Sequence, residues 1–424
     1  MNQCNKNGNS HILYLIVKSR ESLNQREKGL LKLEHLFDKI VLIAKEGNRM
    51  DEKNIVVHPY PNPFGLLRVA GLNNFKTFIE RYFLFPSRNI FFVIPAIRKL
   101  KEIVSGDLAN GRKVTILSCL PPHDFAIIGL SIKKKYPGIR WVVDWQDLWS
   151  YDEYYYMRVP KLYRELLRVI EKSILFSCDV NVTTNPKAKR VLKDYFNVPG
   201  DKVVAIHHHY NEDDIYTHTK DRRTARAACL DDMLNIGFLG NLFKYPKVDG
   251  ERIVDTVQAI SVGGLPIKLH IFGDRSKYAK AAARSQKGRI LLYEPTSHAE
   301  SLRRISKCNF LLLVLSESEN CNIIMNIKLP FYISLDLPII AIVPENSSVA
   351  DIIRETGTGY VIPSAEDWKV GLKRVLVNHM EGTNIPTRNL LAIHSYSWEK
   401  ISPQWASVLV NPQRQSSDLS LTKY

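Results

Sequence analysis

The chain has 424 residues, 45% of them apolar, and carries 59 Lys and Arg against 43 Asp and Glu, a formal net charge of +16. That length exceeds what one hydrophobic core normally serves, so two domains of about 200 residues each are expected, and the apolar fraction with its mixed charge fits a soluble globular protein. The charge favours anionic partners, whether phosphorylated ligands, lipid headgroups or nucleic acid, without choosing among them. Six cysteines, Cys4, Cys119, Cys178, Cys229, Cys308 and Cys321, stand apart with no C-x-x-C pair. This scatter argues against a disulfide scaffold and a structural zinc site, and for a reducing compartment. The first apolar run, Ile12 to Val17, is far too short to span a bilayer. The expected location is the cytoplasm, or the cytoplasmic face of a membrane.

Strand and helix patterns alternate along the first half. Residues 12–17 read as a buried strand and 21–37 as a helix; 40–44 and 55–57 are strands, and 75–104 is a long helical region. Val114 to Ser118 is a further strand, followed by Pro121-Pro122, a helix over 125–135, the strand 141–144, a helix over 162–177 and the strand 180–183. Alternation of this kind implies a doubly wound parallel sheet. The polar stretch 211–232 breaks the rhythm and reads as a linker.

The second half repeats the scheme. Strands are expected at 235–239, 267–272, 290–293 and 310–315, with helices over 253–260 and 299–305. The most informative stretch runs from Asn326 to Gly359. Lys328 stands at a loop–helix junction before Leu329, Phe331, Tyr332, Ile333 and Leu335, a short apolar run. Pro338 leads the uninterrupted apolar strand 339–343, as suits a parallel strand covered on both faces. Ligands of open parallel sheets sit beyond the carboxyl ends of the strands, so a Lys there can neutralise a diphosphate. From Gln413 the tail is polar and is expected to be disordered.

Several segments together resemble the GT-B glycosyltransferases, in particular the retaining family-4 type that builds bacterial polysaccharides. Ser118-Cys119-Leu120-Pro121-Pro122 is similar to a strand end of a subset of these enzymes. Trp141 to Trp149, WVVDWQDLW, is similar to their D-x-R-D-x-W element with Gln146 in place of Arg. Glu171, Asp179-Val180 and Thr183-Thr184-Asn185 match a recurrent helix–strand–loop segment, and His207-His208-His209-Tyr210-Asn211 stands where N-G-y-D is usual. Ile236 to Gly240 resembles the first donor-domain strand and its glycine turn, Lys328 to Tyr332 the K-l-x-E-Y element, and Ser395 to Lys400 the start of the last helix.

The resemblance implies an α/β chain of two Rossmann-like doubly wound parallel-sheet domains facing across a cleft. Residues 1–212 would bind the acceptor and be completed by the helix 397–410; 213–232 would be the linker, 233–396 the nucleotide-sugar domain, and 411–424 a disordered tail. The implied partners are a nucleotide-sugar donor and a saccharide or lipid-linked saccharide acceptor, with no cofactor and no metal. Gly240 and Lys328 are the best matches to a phosphate-binding pair, with Asn326, Gly273 and Asp274 as neighbours. Lys244 reads equally as a second cation or as a solvated loop lysine, and Gly273-Asp274 as a phosphate loop or an ordinary turn. The carboxylate that commonly holds the ribose should stand at Phe331, and its partner at Ile323. Glu317 or Glu319 could take that task; otherwise the nucleotide is held differently, or transfer activity has been lost.

In the first half, His123 is expected to hydrogen-bond the transferred sugar as a neutral imidazole, or else to be a turn histidine. Asp147 would orient the acceptor hydroxyl or accept its proton, or else cap the segment after it; Asp144 reads as structural. Neighbouring side chains of an extended segment point to opposite faces, so the triple His207-His208-His209 reads as a strand-end loop rather than a metal site. The basic and aromatic groups around Arg98-Lys99-Lys101 and Lys133-Lys134-Lys135 would meet an anionic membrane surface, or are the solvated faces of ordinary helices. Competing functions are an inverting transferase or epimerase of the same plan and a catalytically silent nucleotide-binding scaffold. Specific nucleic-acid binding lacks a recognition motif.

Overall fold

The computed structural model describes residues 10–19, 23–46, 50–52, 55–59, 89–152, 156, 159–212, 233–243, 249–274, 276, 279–280, 283–284 and 288–410. The expected linker over 213–232, the early part of the helical region 75–104 and the tail lie outside them. The chain divides into two compact units, residues 1–207 with 401–424, and residues 208–400.

The first unit holds β1 (His11–Ser19), β2 (Lys39–Glu46), β3 (Met50–Glu52), β4 (Ile55–Pro59), β5 (Lys113–Leu120), β6 (Arg140–Trp145), β7 (Val180–Thr183) and β8 (Val203–Ala205). They form one sheet in the order β3-β4-β2-β1-β5-β6-β7-β8, parallel throughout except for β3 against β4. Strands β5, β6 and β7 are buried almost end to end, as strands covered on both faces should be, and their polar members Thr115, Ser118, Asp144, Asn181 and Thr183 are buried with them. The helix expected over 21–37 is two pieces, Gln25–Leu31 and a 3-10 turn at Glu34–Leu36. A capping box sets its start: Asn24 accepts from the Glu27 N–H at 3.0 Å, and Glu27 accepts from the Asn24 N–H at 2.8 Å. Helices Ile90–Ala109, Ala126–Lys135 and Lys161–Ser177 pack side by side. Gly129 allows the middle one to touch the sheet, because a Cβ there would come within 2.1 Å of the Trp141 indole nitrogen.

The second unit is built on β9 (Leu234–Leu239), β10 (Ile267–Phe272), β11 (Ile290–Tyr293), β12 (Phe310–Val314), β13 (Ile339–Val343) and β14 (Gly359–Pro363). Their order is β11-β10-β9-β12-β13-β14, all parallel. The two-residue period of a strand divides the core: Leu311, Leu313, Ile339, Ala341 and Val343 fill one face, and Phe310, Leu312, Val314, Ile340 and Ile342 the other. Strand order reverses beside β1 in the first sheet and beside β9 in the second, the places where open α/β sheets hold ligands.

The unit boundaries fall at 207/208 and 400/401 rather than at 212/213 and 396/397. Tyr210 explains the first shift. Its N–H donates to the Tyr396 carbonyl at 3.1 Å, and its own carbonyl accepts from the Trp398 N–H at 2.9 Å, which fastens 208–212 to the second unit. The second division falls inside the helix Trp398–Val410.

Candidate functional site

The carboxyl ends of β9 and β10 in the second unit bring Gly240, Gly273 and Lys328 together. Both glycines have left-handed backbones, φ 96° at Gly240 and 98° at Gly273, a conformation that side-chain-bearing residues rarely adopt. They also lie close: a Cβ on Gly273 would stand 4.0 Å from the Gly240 Cα. The Gly240 N–H donates to the Phe272 carbonyl at 2.7 Å and the Gly273 N–H to the Tyr293 carbonyl at 2.9 Å, which fixes both turns to the neighbouring strands. A Cβ on Gly240 would lie 3.0 Å from Lys328 Nζ, so the glycine leaves room for the ammonium.

Lys328 immediately precedes the short helix Leu329–Ser334. Its Nζ donates to the Leu239 carbonyl and stands 4.4 Å from the centre of the Phe238 ring. The Leu239 N–H donates to the Tyr332 hydroxyl at 3.0 Å. Residues four apart share a helix face, so Lys328 and Tyr332 grip the two backbone groups of one strand residue. Asn326 sets the approach, its side chain accepting from the Lys328 N–H at 3.0 Å. Burial pushes the Lys328 ammonium down to about 8, since the charged form loses water there. At neutral pH it remains a cation.

Asp274 is 1% exposed, and both its oxygens bind backbone. One accepts from the N–H groups of Leu242 at 2.7 Å and Phe243 at 3.2 Å, the other from Ser276 N–H at 2.8 Å. It ties the loop after Gly240 to the loop after Gly273. Glu317 accepts from the Ser364 hydroxyl, and Glu319 stands exposed in the first turn of the helix Glu319–Ile323. Phe331 and Ile323, at the positions where the resemblance implies carboxylates, are buried at 6% and 8% exposure. Lys244 lies outside the described residues.

In the first unit, His123 follows β5 at that sheet's reversal point and meets the backbone of Asp147. The His123 Nε2 lies 2.9 Å from the Asp147 carbonyl oxygen. A carbonyl can only accept, so Nε2 carries the proton. The ring stacks on Trp149, centroids 5.5 Å apart and planes 12° apart. Glu171 holds the same loop by accepting from Trp149 N–H at 3.0 Å and Ser150 N–H at 3.1 Å. Burial nonetheless pushes its carboxyl up to about 7. Asp144 is fully buried against Arg26, whose Nη2 reaches it at 2.7 Å.

His207 is driven down to about 4 by burial and is neutral at physiological pH, while the His209 ring meets Trp398 at 4.5 Å. Among the described residues no three His, Cys, Asp or Glu side chains are placed to hold one metal ion, and no helix is long and apolar enough to cross a membrane. A cavity of about 340 Å³ opens at the amino ends of β12 to β14, beside Asn309, Pro338 and Thr358, the opposite end of the sheet from Lys328. Sequence reading missed Tyr332 and Arg26. Tyr332 had a signal, its four-residue spacing from Lys328, whereas Arg26 had none.

The chain matches no protein-family model and no curated protein sequence. Its fold is that of solved glycosyltransferases. It is similar to a glycosyltransferase from Rickettsia africae ESF-5 (12% identity, TM-score 0.65, covering 95% of this chain and 99% of that one). It is also similar to WaaG, a glycosyltransferase involved in lipopolysaccharide biosynthesis (12% identity, TM-score 0.64, covering 94% and 100%). A third is Anabaena HepE in complex with UDP and glucose (11% identity, TM-score 0.62, covering 95% and 100%). The architecture is the GT-B glycosyltransferase fold, with two Rossmann-like sheets in one chain.

Proposed function

We propose that the protein transfers a sugar from a nucleotide-sugar to a saccharide or lipid-linked saccharide acceptor, with retention of configuration at the anomeric carbon. The observation that carries this reading is the Lys328 ammonium beside Gly240, at the reversal point of the second sheet. Breaking the bond between the anomeric carbon and the diphosphate leaves negative charge on phosphate oxygens. A fixed cation in a water-poor setting stabilises that charge more than it stabilises the intact donor. Lys328 supplies the cation, and Gly240 and Gly273 leave the backbone bare enough for phosphate to approach. The fold supports the reading, as do the complexes of HepE with UDP and with UDP-glucose. For the sugar and the acceptor the first unit offers His123 as a hydrogen-bonding group and the Asp147 carboxylate to orient the acceptor hydroxyl or accept its proton. No metal is assigned a part.

A second reading is favoured by Phe331 and Ile323, which offer packing where a ribose would find carboxylates. On that reading the protein binds nucleotide without transferring sugar. Thermal-shift titration with UDP-, GDP- and dTDP-sugars tests the site. One nucleotide class should raise the melting temperature of the wild type and fail to do so in Lys328→Ala and Lys328→Met. An equal rise in both variants would remove Lys328 from the site. Release of free nucleotide from the bound donor separates the transferase from the silent binder.

A further inference from the structure

The helix Lys161–Ser177 in the first unit carries two apolar faces. One is buried, with Leu167, Ile174 and Leu175 against the unit and Glu171 holding its loop. The other is open: Leu162 is 83% exposed, Val169 64%, Leu166 48% and Phe176 37%. Their spacing of four, three and seven residues keeps them on one stripe of a 3.6-residue helix. Exposed Lys161, Arg168 and Lys172 flank that stripe on one side. Arg164 and Arg168 stand over the Tyr156 ring at 5.0 and 4.9 Å, and Lys172 lies 5.9 Å from the Phe176 ring. Glu165 is the one exposed acid on the helix and is paired with Arg168 at 2.6 Å.

We propose that this stripe lies in the headgroup layer of an anionic membrane. An apolar ridge edged with cations matches both parts of such a surface, acyl chain below and phosphate above. A second copy of the chain fits worse. An isologous contact would set Lys161, Arg168 and Lys172 near the same three cations of the other copy, on a protein already at +16. The helix rests on the surface rather than crossing it, in keeping with its polar flank. The inference stands on this helix alone and does not depend on the nucleotide chemistry proposed above.

The test is co-sedimentation of the full chain with phosphatidylglycerol–phosphatidylcholine vesicles and with phosphatidylcholine vesicles. The wild type should partition to the anionic vesicles. Partitioning should fall about tenfold or more in Leu162→Glu/Val169→Glu and, separately, in Lys161→Glu/Arg168→Glu/Lys172→Glu. All these positions are exposed, so circular dichroism and any donor-induced thermal shift should stay as in the wild type, which keeps this test apart from that of the nucleotide site. Equal binding to both vesicle types, or unchanged sedimentation of both variants, would overturn the proposal. So would a dimer in light scattering that only the wild type forms, since that assigns the stripe to a second copy.

Discussion

Arg26 binds through each of its three guanidinium nitrogens and one ring-stacked face. Nε and Nη2 hold Asp144, Nη1 donates to the carbonyls of Ile206 at 2.8 Å and His207 at 2.9 Å, and the guanidinium carbon lies 4.7 Å from the Trp405 ring. Removing one member of such a pair strands the other charge in a site without water. Arg26→Met should therefore cost about 3–5 kcal/mol in urea unfolding, and Arg26→Met/Asp144→Leu should recover much of it. Two buried groups make stability depend on pH in opposite senses. The Glu171 carboxyl is held up near 7 in the fold against about 4.5 when unfolded, so its stabilising effect is complete below pH 4.5 and fades as pH rises through 7. Glu171→Gln keeps one accepting oxygen and should flatten the melting temperature across that window. Lys328 is held down near 8 against 10.5, so the fold gains as pH climbs from 8 to 10.5, whereas binding of an anionic donor should weaken over the same climb. A pH series of donor titrations reads that divergence. Lys328 and Gly240 were legible because each sits where a strand or helix pattern stops. Arg26 was not, because its partner is 118 residues away and nothing local to 26 announces it.

Among the elements, the middle helix of the first unit shows how little clearance the layers have. Its Gly129 faces the Trp141 indole, whose N–H donates to Ser118 Oγ at 3.2 Å. Gly129→Ala would improve helix propensity yet should destabilise by about 1–3 kcal/mol, since the methyl must displace the indole. A lower denaturant midpoint with altered near-ultraviolet dichroism would show it. Strands such as β12 and β13 could be read directly because cover on both faces favours unbroken apolar runs. Strand β3 could not: Met50-Asp51-Glu52 is too short for a period and pairs only at the sheet edge. The helix Pro186–Asp194 was overlooked although its start is written locally, with Asn185 accepting from the Ala188 N–H at 3.0 Å and Pro186 opening the helix.

At the scale of the whole molecule, two sheets were foreseeable from length and from the repeated alternation, because neither property depends on side-chain contacts. The sites were foreseeable only as strand ends; which side chains meet there depends on loops whose geometry no period encodes. Hydrogen exchange offers a global check on the proposed donor site. Added nucleotide should slow exchange around 238–243, 272–274 and 326–329 and leave β1 to β8 unchanged; slowing confined to the first unit would move the nucleotide there. The last helix carries a consequence for biosynthesis. Trp405 covers Arg26, the Val408 carbonyl accepts from Arg140 at 2.7 Å, and the Leu409 carbonyl accepts from Thr115 at 3.1 Å. These partners leave the ribosome only after residues 208–400 have been translated. Until then the earliest-made sheet waits with a tryptophan-sized gap over its buried ion pair, a window in which a chaperone or a protease would find it unfinished.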